Sequence, residues 1–203
     1  MHPWKHYVAI GDSFTAGLGD AVEGIEPLGT ADRLAAALRR SRPGLRYTNL
    51  AQPGLTSAEI RAGQLELALS LAPDLVSVVA GANDILGRAW DPERFEADLR
   101  RMFEALVRLD ATLVTATLPN FPLLATLPGS IGVRLHRHIL KGNAIIQRLA
   151  SDFGAICLDL MPLSTLFDPA LWSADGIHPN ARGYLEITSR MIQRLECQAG
   201  VSI

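Results

Sequence analysis

Apolar residues along the chain fall into two alternating patterns. Short apolar runs occur at residues 7–10, 47–50, 75–79, 111–117 and 155–160, each predicting a strand. The run at 75–79 is apolar but for Ser77, as expected of a strand buried on both faces. Between the runs, apolar residues recur at helical spacing. They are Ala31, Leu34, Ala35 and Leu38 in 31–40, then Ile60, Leu67, Ala68 and Leu71 behind Ser57 as a cap. The clearest period is Phe95, Leu99, Met102, Phe103 and Leu106, opened by Asp91 as N-cap and Pro92 at the first helical position. A long helix over 131–153 should bury Leu135, Ile139, Ile146, Leu149 and Phe153. A last one, capped by Asn180, carries Tyr184, Ile187, Met191 and Leu195. Strands alternating with helices predict an α/β protein, with a parallel sheet between two helical layers. The segments that follow the strands, 11–29, 51–56, 81–90, 118–130 and 161–177, mostly exceed the usual connection of about two to six residues. In an open α/β sheet they gather at the edge where ligands bind, so function is sought there.

Composition narrows the classes of partner. The chain has 203 residues, 48% hydrophobic and 20% charged, which excludes disorder as its main state. No repeat or linker divides it, and residues 1–203 read as one domain. The net charge is −2, without the basic excess that nucleic acid demands; Arg39, Arg40 and Arg42 read as a solvated helix end. No apolar run reaches the about eighteen residues of a membrane span. The first residues show no secretory leader, and the expected location is the cytoplasm. Cys157 and Cys197, far apart and unclustered, are expected as reduced thiols, the first in a buried strand and the second near the last helix's end.

Four short blocks lie on the functional edge: GDSFTAG at 11–17, NLAQPG at 49–54, GAND at 81–84 and DGIHP at 175–179. In this order, each after its strand, they resemble the four blocks of the GDSL family, the SGNH hydrolases. The resemblance spans nearly the whole chain. It implies a three-layer αβα sandwich of flavodoxin-like type, five parallel strands in the order 2-1-3-4-5, and hydrolysis of carboxylic esters without cofactor or metal. It also implies three donors to an oxyanion: the Ser13 N–H, the Gly54 N–H and the Asn83 amide.

The residues suit that chemistry. A serine hydroxyl such as Ser13 needs a base to become a nucleophile. His178 is the candidate, since histidine's ordinary pKa of about 6.5 fits a base near neutrality. Asp175, three residues earlier in a turn, can accept from the ring and fix its tautomer. Gly54 can present its N–H with no Cβ in the way, on an approach stiffened by Pro53. In the family's strand order the fifth strand lies roughly 14 Å from the first, at about 4.8 Å per strand. Only a long loop such as 161–177 could bring His178 to Ser13.

Taken singly, each residue has a plainer reading. Ser13 can be a capping or turn residue, His178 a packing histidine, Asn83-Asp84 a turn, and Gly54 part of a type II turn. Asp12 and Asp84 are assigned to loop hydrogen bonding, and His136 and His138 to the surface. His2 and His6 carry no signal. The GxSxG elbow of the larger αβ-hydrolases is absent, GLGDAV at 17–22 lacks a third glycine for a dinucleotide, and no phosphate loop GxxxxGK occurs. Phe14, Trp90, Phe121, Leu123, Leu124 and Trp172 share the edge; they can line an apolar acyl pocket or pack the loops. The expected partner is a small-molecule ester. A thioester or an acetylated carbohydrate is the alternative substrate, and a flavodoxin-like domain binding phosphate or flavin is the non-enzymatic alternative.

Overall fold

The five apolar runs pair as one all-parallel sheet in the order β2-β1-β3-β4-β5. The structure is a computed structural model that describes residues 3–87 and 90–203, with Leu124 described without its side chain. The strands are β1 His6–Gly11, β2 Arg46–Asn49, β3 Leu75–Val79, β4 Thr112–Ala116 and β5 Ile156–Leu158. The helices are α1 Ser13–Ala16, α2 Thr30–Ser41, α3 Ser57–Ser70, α4 Ala82–Leu86, α5 Pro92–Val107, α6 Leu123–Thr126, α7 Gly129–Asp152 and α8 Ala181–Ala199. Two 3₁₀ turns, Ser164–Phe167 and Pro169–Leu171, lie between β5 and α8.

Alternation along each strand sends side chains to two cores. Tyr7, Ala9, Leu75 and Val114 meet Leu34, Leu38, Ile187 and Met191 of α2 and α8. Val8, Ile10, Val76 and Val78 meet Ile60, Phe95, Leu99, Ile146 and Leu149 of α3, α5 and α7. Each aliphatic side chain so buried contributes roughly 1.5–3 kcal/mol before entropy is counted.

The structure departs from the sequence pattern in instructive places. Thr56, not Ser57, caps α3: its hydroxyl accepts from Glu59 N–H while the Glu59 carboxylate accepts from Thr56 N–H. Ser57 is taken instead by Asp84, which accepts from its N–H at 2.9 Å and its hydroxyl at 2.6 Å. Leu67 is 51% exposed, because the buried stripe of α3 runs through Ser57, Gln64 and Ala68 rather than through Leu67. Leu135 and Phe153 are half-buried. His136 and His138 are half-buried as well, the ring of His138 6.0 Å from that of Trp90. His6 is buried, bridging Leu71 O and the Thr48 hydroxyl. Arg39 and Arg42 end α2 by donating to Leu45 O and Pro3 O, so that helix end is tied down rather than merely solvated. Cys157 is half-buried in β5 and Cys197 exposed in α8, and both are free thiols. Among the described residues no helix is long and apolar enough to cross a membrane.

Candidate active site

The functional edge is more regular than its sequence suggests. Ser13 is the first residue of α1 rather than a turn residue, and Asn83 lies within α4. Asp12 caps α1, its carboxylate accepting from Phe14 N–H at 3.0 Å. Gly11 precedes it because nothing larger fits: a Cβ there would stand 2.5 Å from Val79 O and 2.3 Å from Thr15 Oγ1. The buried Gln64 of α3 clamps Gly11 from both sides, accepting from its N–H at 2.8 Å and donating to its carbonyl at 2.9 Å. Asn49 ties the end of β2 to α1 by donating to Thr15 O at 3.0 Å. Gln64 shows no signal in the sequence, since a polar residue on a helix face reads as exposed. Asn49 does, as the first residue of the second block.

The Asn83 amide donates to Asp12 Oδ2 at 3.3 Å and to Leu55 O at 3.0 Å. It is thereby brought against the sequence neighbours of Ser13 and Gly54. Gly54 is exposed in the turn after β2, with φ +83°, a conformation that glycine adopts without strain. Burial pushes the Asp12 carboxyl up to about 6, even though the Phe14 N–H and the nearby His178 draw it down. Burial also raises the carboxyl of Asp84, against the hydrogen bonds from Ser57.

The other half of the site arrives on the long segment after β5. Ala174 N–H donates to Asp20 Oδ2 at 2.8 Å, Asp20 N–H donates to Ser173 Oγ, and Leu123 N–H donates to Gly176 O at 3.0 Å. Ser173 N–H donates to His178 O at 2.8 Å, closing the loop on itself. Asn180 caps α8 and also donates to Ala170 O and Trp172 O. So held, Asp175 Oδ1 accepts from the Ile177 and His178 N–H groups at 2.8 and 2.9 Å, and Oδ2 stands 2.7 Å from His178 Nδ1. Burial alone would raise the Asp175 carboxyl, but these hydrogen bonds outweigh it and hold it below its ordinary value. An ionised carboxylate can only accept, so Nδ1 carries the ring proton. Nε2 is then free to accept from the Ser13 hydroxyl, 2.8 Å away.

Three of the six apolar residues on this edge are core residues. Phe14, Phe121 and Trp172 are 7%, 1% and 7% exposed, with Phe14 6.0 Å from Phe121 and Phe121 6.2 Å from Trp172. Phe14 packs beside the His178 ring, 6.0 Å between centroids. Trp90 packs on Phe95 at 5.3 Å. The expected role of the Leu124 side chain lies outside the described residues. Among the described residues no group of three His, Cys, Asp or Glu side chains is placed to hold a metal ion.

A parallel sheet of this order, with serine and histidine meeting at its functional edge, has the build of an αβα hydrolase. Residues 9–185 match the model of the GDSL-like lipase/acylhydrolase family. The chain belongs to that family and is an ester-hydrolysing enzyme. Its fold is similar to an alpha/beta hydrolase from the metagenome of Lake Arreo, Spain, at TM-score 0.77 and 23% identity, covering 96% of each chain. It is similar also to TesA, at TM-score 0.75 and 22% identity, covering 95% of this chain and 99% of that one. A third similar fold is Axe2, an acetylxylan esterase from Geobacillus stearothermophilus, at TM-score 0.73 and 17% identity, covering 94% of each chain. Axe2 variants with alanine for a serine or for a histidine are described as catalytic mutants. A multidomain esterase of Ruminococcus flavefaciens is 24% identical over 125 residues, which are 62% of this chain and 16% of that protein.

Proposed function

We propose that the chain cleaves carboxylic esters through an acyl-enzyme on Ser13. The observation that carries this is the continuous line from Asp175 Oδ2 through the His178 ring to Ser13 Oγ, at 2.7 and 2.8 Å. Ser13 Oγ attacks the carbonyl carbon as its proton passes to His178 Nε2. Asp175 keeps the other ring nitrogen protonated and stabilises the imidazolium. The tetrahedral oxyanion is held by the N–H groups of Ser13 and Gly54 and by the Asn83 amide, which gives up its long contact to Asp12 to do so. His178 then protonates the departing alcohol and the C–O bond breaks. Water, deprotonated by His178, attacks the acyl-enzyme and releases the acid and free Ser13. The chemistry needs no cofactor.

A second reading, removal of acetyl groups from a carbohydrate, gains from one observation. Three aromatic residues that could have formed an apolar acyl slot, Phe14, Phe121 and Trp172, are buried core residues. A short acyl group fits such a site, whatever the alcohol. The test is hydrolysis of p-nitrophenyl acetate, butyrate and octanoate, of acetylated xylan and of an acyl thioester, by the parent chain and by Ser13→Ala. Hydrolysis that falls with acyl length and disappears in Ser13→Ala supports the reading. Full activity in Ser13→Ala overturns it, and indifference to acyl length removes the short-acyl preference.

A further inference from the structure

We propose that the exposed face of the first half of α7 is a docking surface for an anionic lipid bilayer. Positions 133 and 134 lie four and three residues before 137, and 140 and 141 three and four after it, so the five share one side of the helix. That side mixes aliphatic and cationic groups. Val133 is 53%, Leu140 46% and the neighbouring Ile131 37% exposed, and Arg134, Arg137 and Lys141 are exposed among them.

The charge of this surface is one-sided. The whole chain carries −2, yet no Asp or Glu occurs between Asp110 and Asp152. Arg148, farther along α7, is neutralised by Glu96 and Asp152. Among the described residues Arg134, Arg137 and Lys141 have no ion-pair partner. Cations left unpaired next to exposed aliphatics complement a surface that is anionic outside and apolar just beneath, which is the surface of a bilayer containing acidic lipids. Solvated cations alone would need no aliphatic company. Position supports the same occupant. α7 begins where the chain leaves the functional edge, directly after α6, whose Leu123 N–H donates to Gly176 O on the loop of Asp175 and His178. The face thus lies one short helix along the chain from the segment that touches the loop of Asp175 and His178.

Co-sedimentation with vesicles tests this without turnover and so independently of the ester reading. The 203-residue chain is mixed with phosphatidylcholine vesicles, with and without phosphatidylglycerol, at low and at raised salt. Binding is expected only with phosphatidylglycerol, and it weakens with salt. The variant Arg134→Glu/Arg137→Glu/Lys141→Glu is expected to bind at least about tenfold less, since each cation near an acidic membrane contributes severalfold. Its rate on a soluble aryl ester should stay that of the parent, which shows it folded. Val133→Ser/Leu140→Ser should lose the salt-resistant part of the binding. Failure to sediment with acidic vesicles, equal binding to neutral ones, or parental binding by the triple variant each overturns the proposal. Retention on immobilised poly-glutamate without vesicle binding also overturns it, in favour of an acidic protein partner.

Discussion

The two halves of the site are built by different means. Ser13 and Asn83 stand at the ends of neighbouring strands, β1 and β3, and ladder hydrogen bonds fix their separation. Gly11, just before Asp12 and Ser13, is further clamped by a buried glutamine. Asp175 and His178 belong to no strand. They hang from loop residues Asp20, Ser173 and Leu123, and Asp175 is itself 47% exposed at its side chain. The first half therefore inherits the stability of the sheet, whereas the second is only as well placed as its loop. Damage to the scaffold behind Ser13 should be read in stability, and damage to the tethers of Asp175 and His178 in turnover.

Asp175→Asn gives the widest expected gap between the two readouts. Its amide can donate to Nδ1, which selects the wrong ring tautomer. kcat should fall by roughly 10⁴ while melting temperature barely moves. Asp175 ionisation should not set the acid limb of the rate, because hydrogen bonding keeps its carboxyl charged below the ordinary range. A kcat within tenfold of the parent would show that the loop half does not act as described. Gln64→Leu tests the other half. It strands the buried N–H of Gly11, while the carbonyl keeps the Gln52 N–H, and should cost about 1–3 kcal/mol in denaturant unfolding. A loss under about 0.5 kcal/mol would remove the distinction between the halves.

Asp12 belongs to the stable half but touches the chemistry. Its carboxyl is raised from 3.8 to about 6, so the folded chain holds a proton there that the unfolded chain has already lost. Stability should then decline as pH rises from about 4 to about 6, by on the order of 2 kcal/mol. Asp12→Asn should flatten that slope and, by loosening the hold on Asn83, lower kcat more than it changes KM. An unchanged slope would mean that another group titrates. The smallest expected effect is that of Asp20→Ala, which frees one tether of the loop. About a tenfold loss in kcat, with melting temperature within a degree or two, is expected from a displaced base.

Sequence pattern reaches the two halves unequally too. The strands and the long helices were legible because burial on a face leaves a period, as in Phe95, Leu99, Met102, Phe103 and Leu106, all buried. The four blocks were legible because together, in order and each after its strand, they resemble those of the GDSL family. Gln64 was not, since its value lies in hydrogen bonds to backbone far away in the chain. Burial of Phe14, Phe121 and Trp172 was ambiguous for a similar reason: an aromatic residue in a loop reads the same whether it lines a pocket or fills a core. Short helices such as α1 and α4 lack the length to show a period. Only their caps, Asp12 and the backbone of Gly81, mark them.

The meeting of Ser13 with His178 is tested most directly by a fluorophosphonate, followed by mass spectrometry of the digested protein. The expected result is one adduct, on the peptide that contains Ser13, absent in Ser13→Ala and strongly slowed in His178→Ala. Labelling that leaves Ser13 untouched, or that proceeds at the parental rate without the His178 ring, would contradict a serine activated by that histidine.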